Sequence, residues 1–196
     1  MGAAMKGKRK IVVNAPVVIG FTGVCFAATL AGLLTGGYST RLLFQTMHTS
    51  LKNPLTWLRF FTHVFGHSGW SHFMGNAAYL LLLGPMLEEK YGAKKLLSVI
   101  CITAFATGII NYIFFPNIAL CGASGVVFAF ILIGSITAKE DRKIPVTFIL
   151  VALLYIGQQV WQGVTQRDSI SQMSHIIGGI TGSVLGFTLN ASQHKK

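Results

Sequence analysis

Six apolar stretches recur along the chain, at Val17–Leu34, Trp70–Leu87, Leu96–Phe115, Ala123–Ala138, Ile144–Trp161 and Met173–Leu189. Each approaches the roughly 20 residues that an α-helix needs to cross the hydrocarbon core of a bilayer. Several are interrupted by polar residues, and polar groups facing lipid are costly, so those spans are expected to be shielded by their neighbours. The pattern predicts an all-α membrane protein of six transmembrane helices over residues 17–190. Residues 1–16 form an N-terminal segment and 191–196 a tail. The first connection, Thr35 to Gly69, is long and carries Trp57, Leu58, Phe60 and Phe61. It is too apolar to be fully solvated, and part of it is expected to lie in the membrane interface with Trp57 and basic side chains near the headgroups. No soluble domain, internal repeat or low-complexity linker interrupts the series.

Composition agrees with this reading. Only 11% of the 196 residues are charged and 52% are hydrophobic, whereas soluble domains carry about 25% charged residues. The formal net charge of +11 does not point to nucleic acid, because the basic residues sit in short clusters between apolar runs. With the N-terminus inside, the inner segments hold twelve basic residues, among them Lys8, Arg9, Lys10, Lys94, Lys95 and Arg142, and the outer segments hold four: Arg41, Lys52, Arg59 and Arg167. That bias predicts that both termini are cytoplasmic. The first apolar run is too long for a signal-peptide core, typically ~7–15 residues, and reads as a retained span. Cys25, Cys101 and Cys121 lie in or beside apolar runs. They form neither a disulfide framework nor a metal motif, and are read as small buried hydrophobes.

In this topology spans two, four and six run from outside to inside, and each carries polar residues in its first two turns: His72 and Asn76, then Ser124, then His175. Three helices thus place reactive or hydrogen-bonding groups at one depth. Ser124 sits in Gly122-Ala123-Ser124-Gly125 at the start of a helix, where unpaired N–H groups and the positive end of the macrodipole suit a developing oxyanion. The alternative is a small-residue packing patch with Ser124 as its N-cap. His175 lies one turn before Gly178, which with Gly182 and Gly186 forms a stripe that permits close helix packing. If the helix on that stripe is span four, the imidazole reaches the Ser124 hydroxyl, which is the base–nucleophile contact of a serine hydrolase. The alternative is a histidine that satisfies a carbonyl.

The five carboxylates are Glu88, Glu89, Glu140, Asp141 and Asp168. None lies inside a span near His175, so a Ser-His dyad is expected rather than a triad, and paired-carboxylate chemistry is disfavoured. His63, His67 and His72 lack the neighbouring Glu of a His-Glu-x-x-His zinc site, and no catalytic metal is expected. His72 and Asn76 share a helix face and suit oxyanion donation, while His63 and His67 are expected to orient the loop.

Together these residues resemble the rhomboid family of intramembrane serine proteases. The match rests on His67, His72-x-x-x-Asn76, Gly122-Ala123-Ser124-Gly125 and His175-x-x-Gly178-x-x-x-Gly182, with Arg59 and Glu88-x-x-x-Gly92 in support. It covers roughly Arg59 to Gly186. The resemblance implies a six-transmembrane-helix rhomboid bundle, with Ser124 as nucleophile, His175 as general base, and an oxyanion hole from His72, Asn76 and the Ser124 N–H. It implies transmembrane protein substrates of a single span, cut near the outer end of their helix in the lipid bilayer of the cell membrane, and no cofactor or metal. Oligomeric state is not legible. Phe128 stands where the family often has Tyr, Leu58 where it has Trp, and Ser174 where it often has Ala. A non-catalytic relative that only binds transmembrane clients is the alternative, and a transporter is disfavoured by the apolar inner halves of the spans. The connection from Gln162 to Gln172 is expected to cap the site.

Overall fold

The computed structural model describes residues 12–136, 144, 146–165 and 169–193, with side chains described outside 155–156, 158–174 and 190–193. Helix α1, Pro16–Leu34, begins with Pro at its first position, where a missing N–H costs nothing. Its next two donors, the N–H groups of Val17 and Val18, both reach the Glu88 carboxylate at 3.0 Å. A buried acid from another helix therefore caps α1, and its negative charge meets the positive end of the dipole. At the other end Gly36 and Gly37 take φ of 59° and 84°, the left-handed region open to glycine. They turn the chain into the short helix α2, Tyr38–Leu43.

Helix α3, Pro54–Thr62, is N-capped by Asn53, whose side chain accepts from the Leu55 N–H at 3.0 Å. It buries Thr56, Arg59 and Phe60 and leaves Trp57, Leu58 and Phe61 exposed. The Arg59 guanidinium reaches back to the Leu42 carbonyl at 2.8 Å, tying α3 to the end of α2. A 3-10 turn, His63–Phe65, follows. Then come the longer helices α4, Trp70–Tyr91, and α5, Ala93–Phe114, joined at Gly92 with φ of 85°. After them come α6, Ser124–Ile136; α7, Val146–Thr165; and α8, Ser169–Gln193.

Helix α6 is the axis of the bundle. Val126, Ala129, Phe130, Ile133 and Ile136 are all but inaccessible, and α4, α5, α7 and α8 pack around it. A helix apolar on every side is stable only in such a position or in lipid. The outer faces of the surrounding helices expose Leu82, Leu97, Ile102, Leu153 and Val184. Among the described residues, α1 and α5 are long and apolar enough to cross a membrane, and α6 and residues His175–Leu189 are shorter apolar helices. The six predicted segments each coincide with a helix; five of the helices extend beyond their segments at one end or both, whereas α6 as described, Ser124–Ile136, lies inside Ala123–Ala138. The last extends from Ser169 to Gln193, so most of the expected Gln162–Gln172 connection is helical, and residues 166–168 lie outside the described part. Apolar runs report where a helix meets lipid, whereas backbone hydrogen bonds continue through its polar ends. The sequence pattern did not separate α2, α3 and the 3-10 turn inside the first connection.

Candidate active site

The segment that leads into α6 is held by the first connection, residue by residue. Leu120 and Thr46 exchange backbone hydrogen bonds of 2.9 and 3.1 Å as an isolated antiparallel bridge. The Gly122 N–H donates to the His63 carbonyl at 2.9 Å. The Ala123 N–H donates to His67 Nε2 at 3.5 Å. His67 Nδ1 lies 3.2 Å from the Phe65 carbonyl and 3.3 Å from Thr29 Oγ1, while Thr29 donates to the Cys25 carbonyl at 2.7 Å. One tautomer fits all of these: a neutral ring with Nδ1–H as donor and Nε2 as acceptor. Burial, and secondarily the His72 charge, hold the His67 pKa down at about 4, so that neutral form prevails near pH 7. Burial lowers His63 further, to about 3.

Helix α5 secures the same platform from below. Thr107 Oγ1 lies 3.1 Å from His63 Nε2. Asn111 Nδ2 donates to Thr46 Oγ1 at 3.2 Å and to the Ile118 carbonyl at 3.0 Å. Thr103, Thr107 and Asn111 are buried on one face. Sequence reasoning missed them, although polar residues spaced by four on an apolar span were the available signal.

Gly122 has φ of 131°, a region L side chains rarely adopt, and a Cβ there would lie 2.9 Å from His72 Nε2 and 3.9 Å from Asn76 Nδ2. Glycine is required on both counts. The His72 ring is oriented by Ser68, whose Oγ is 3.1 Å from Nδ1. Asn76 Nδ2 is buried and has no hydrogen-bond partner among the described residues. An unspent buried donor costs roughly 1–3 kcal/mol.

The glycine stripe of α8 packs on α6. A Cβ on Gly178 would come within 2.7 Å of Gly125 Cα, one on Gly182 within 2.7 Å of the Ala129 carbonyl oxygen, and one on Gly186 within 3.4 Å of Ile133 Cα. His175, one turn before Gly178, is thereby carried to the start of α6, where its ring meets Phe128 with centroids 4.5 Å apart and planes tilted by 46°. The aromatic contact is thus made without a hydroxyl at position 128.

Ser124, His175, His72 and Asn76 all line one cavity of about 570 Å³. Its apolar wall continues through Val127 and Ile131 of α6 and Val151 and Leu154 of α7, with Tyr79 of α4 facing them. No carboxylate is among its described lining residues. Glu88 is engaged on α1, and Glu140, Asp141 and Asp168 lie outside the described residues. Among the described residues no group of three or more His, Cys, Asp or Glu is placed to hold a metal ion.

A sequence model of the Rhomboid domain matches residues 54–192. The chain is 27% identical over 148 residues to Rhomboid-related protein 1 of Caenorhabditis elegans, covering 70% of this chain and 42% of that protein. It is 32% identical over 143 residues to Rhomboid protease GlpG of Salmonella newport (strain SL254), and equally to that of Salmonella typhi, covering 68% of this chain and 49% of each relative. The chain therefore spans about half the length, or less, of these relatives. The domain match covers α3 through α8, including all four cavity groups. On that match, the chain belongs to the rhomboid family.

Proposed function

We propose that this chain is an intramembrane serine endopeptidase that cuts single-span transmembrane proteins near the outer end of their helix. Rhomboid-family proteins are integral membrane proteins. The reading extends this to six spans of the cell membrane with both termini cytoplasmic, as the twelve-to-four bias of basic residues favours. The single observation that carries the chemistry is the convergence of Ser124, His175, His72 and Asn76, from three helices, on one cavity.

In this mechanism His175 takes the Ser124 hydroxyl proton as the oxygen attacks the scissile carbonyl carbon. The negative charge that develops on the carbonyl oxygen is met by the Ser124 N–H, His72 and the unspent amide of Asn76. The imidazolium returns its proton to the departing amine, leaving an acyl-enzyme ester that water hydrolyses by the same two proton transfers in reverse order. Ser68 fits this scheme: its Oγ lies 3.1 Å from His72 Nδ1, and in the proposed mechanism its O–H donates there, which leaves Nε2–H facing Gly122 and the cavity. The rim residues Ser71 and Tyr79 are exposed, giving water and an unwound substrate segment a route in.

The test is cleavage of a model transmembrane substrate by the purified full chain. Ser124→Ala is expected to lower the rate by at least ~10³-fold, within the range seen when a serine nucleophile is removed. A fluorophosphonate probe is expected to label the wild type at Ser124. Cleavage that persists in Ser124→Ala overturns the mechanism. A wild-type chain that binds the substrate without cutting it assigns the protein to the non-catalytic alternative.

A further inference from the structure

A second cavity, of about 440 Å³, lies behind the first. Its outer rim is the turn from α1 to α2, with Arg41 and Gln45 beyond it, and its inner wall is His67, Ser68 and Cys121. That inner wall is the reverse side of the site described above. His67 accepts from the Ala123 N–H, Ser68 meets His72, and Cys121 precedes Gly122.

The polar groups of this cavity are incompletely used. Among the described residues the Arg41 guanidinium makes one long contact, 3.5 Å to the Gly36 carbonyl. The described carboxylates, Glu88 and Glu89, lie at the far end of α4 from Ser68. Gln45 is half-buried in the wall, and no hydrogen bond of its side chain is seen among the described residues. The carbonyls of the last α1 turn do not compete for a ligand cation, because those of Ala31, Gly32 and Leu33 already accept from Thr35, Gly37 and Gly36. A fork of N–H donors engaged by one long contact, beside an amide, selects an anion with several oxygens. The rim beside it is apolar: Leu33, Leu34 and Tyr38 are 52%, 78% and 61% exposed. Cation and amide inside, with aliphatic surface leading away, match a phosphate that carries acyl chains.

We propose that this cavity binds the phosphate of a phospholipid headgroup, with Arg41 and Gln45 as its ligands and the acyl chains along Leu33 and Leu34. A headgroup seated there presses on His67, Ser68 and Cys121, and so tunes the positions of His72 and Ala123. The coupling to catalysis rests on the proposed protease activity; the binding does not.

Cys121 reports occupancy directly. Burial pushes its thiol up to about 11, so labelling by a small methanethiosulfonate is run at about pH 9, where a minor thiolate fraction reacts slowly enough to time. Full-length protein in a phosphate-free glycoside detergent is labelled with dihexanoyl phosphatidylglycerol, dihexanoylglycerol or inorganic phosphate added, and Cys121 is followed by peptide mass spectrometry. Phosphatidylglycerol at about four times its Kd is expected to slow labelling roughly fivefold, with protection lost in Arg41→Gln and weakened in Gln45→Leu and Arg41→Lys. Protection by phosphatidylglycerol alone establishes the lipid. Equal protection by inorganic phosphate, or by the phosphate-free diacylglycerol, overturns it in favour of a free anion or a purely apolar contact. Unchanged labelling, or protection that survives Arg41→Gln, overturns the site. Substrate cleavage in the same samples is expected to respond to the lipid in wild type and not in Arg41→Gln. A chain that cuts nothing in any sample sinks the protease reading while the labelling still decides the site.

Discussion

Ser68 shows what a single hydroxyl can decide in a site whose described lining holds no carboxylate. A histidine ring with one acceptor and one donor nitrogen is ambiguous until a neighbour chooses its tautomer. For His67 the choice is made by the Phe65 carbonyl and the Ala123 N–H. For His72 the neighbour is Ser68, four residues earlier, whose hydroxyl can donate or accept and which the proposed mechanism uses as the donor to Nδ1. In the proposed mechanism Ser68→Ala removes the donor to Nδ1, so a fraction of His72 rings turn an acceptor toward the developing oxyanion. The expected result is a kcat lower by roughly 10-fold with KM little changed, less than the ~10²–10³-fold loss of an oxyanion donor itself. Ser68→Thr keeps the hydroxyl and is expected to restore most of the rate. Steady-state kinetics on the model substrate read both; a pure KM effect would assign Ser68 to substrate binding instead. Nothing in the sequence singled out Ser68, because a serine in a Gly-rich connection is ordinary. Its role depends on the helix start at Trp70, which turns a spacing of four into a contact.

At the scale of elements, the α6–α8 contact is where sequence and structure agree most closely. The spacing of Gly178, Gly182 and Gly186 announced a close-packed helix face, and the structure lays α6 on it with backbone nearly touching backbone. His175 is delivered to the cavity by this packing, since no hinge or loop stands between it and Gly178. Gly182→Leu forces the helices apart at Ala129, and overpacking of this kind costs about 1–3 kcal/mol or more. A lower midpoint of thermal unfolding in detergent is expected together with loss of cleavage. Gly20→Leu, where a side chain meets nothing within 4 Å, is expected to leave both near wild type. Equal behaviour of the two variants would remove the stripe from the argument. The first connection was far less legible. Its apolar character was plain, but the positions of Thr46, His63 and Arg59 are fixed by partners 17 to 74 residues away: Leu42, Thr107 and Leu120. Short helices such as α2, stabilised by tertiary contacts rather than by their own turns, leave no periodic trace. Glu88 is similar: the carboxylate was visible near the inner end of its span, but its two bonds to Val17 and Val18 were not.

For the molecule as a whole, the buried histidines outside the spanning helices make folding pH-dependent. His63 and His67 carry pKa values of about 3 and about 4, against an ordinary 6.5. Between those values the unfolded chain binds protons that the folded chain refuses, so stability rises with pH across the window. On acidification, it begins to fall below about pH 6.5 and continues to fall toward pH 4, by about 1.4 kcal/mol per pH unit for each histidine fully in its window. Unfolding midpoints measured from pH 7.5 down to pH 4 are expected to drop accordingly, and His67→Gln, which keeps an acceptor for Ala123, is expected to flatten the slope. A midpoint that is flat in the wild type would mean that these rings take up protons without consequence for the fold.

The hydrogen-bonded bridge between Thr46 and Leu120 has a consequence of its own. It fastens the residues just ahead of Ser124 to buried Thr46 of the first connection, whose helix α3 leaves Trp57, Leu58 and Phe61 exposed, so the geometry of the proposed centre depends on that connection as well as on the helix packing. On the proposed function, a membrane of the wrong thickness, or a micelle that wets that connection differently, reaches the chemistry through this tie while leaving the central helix packing intact.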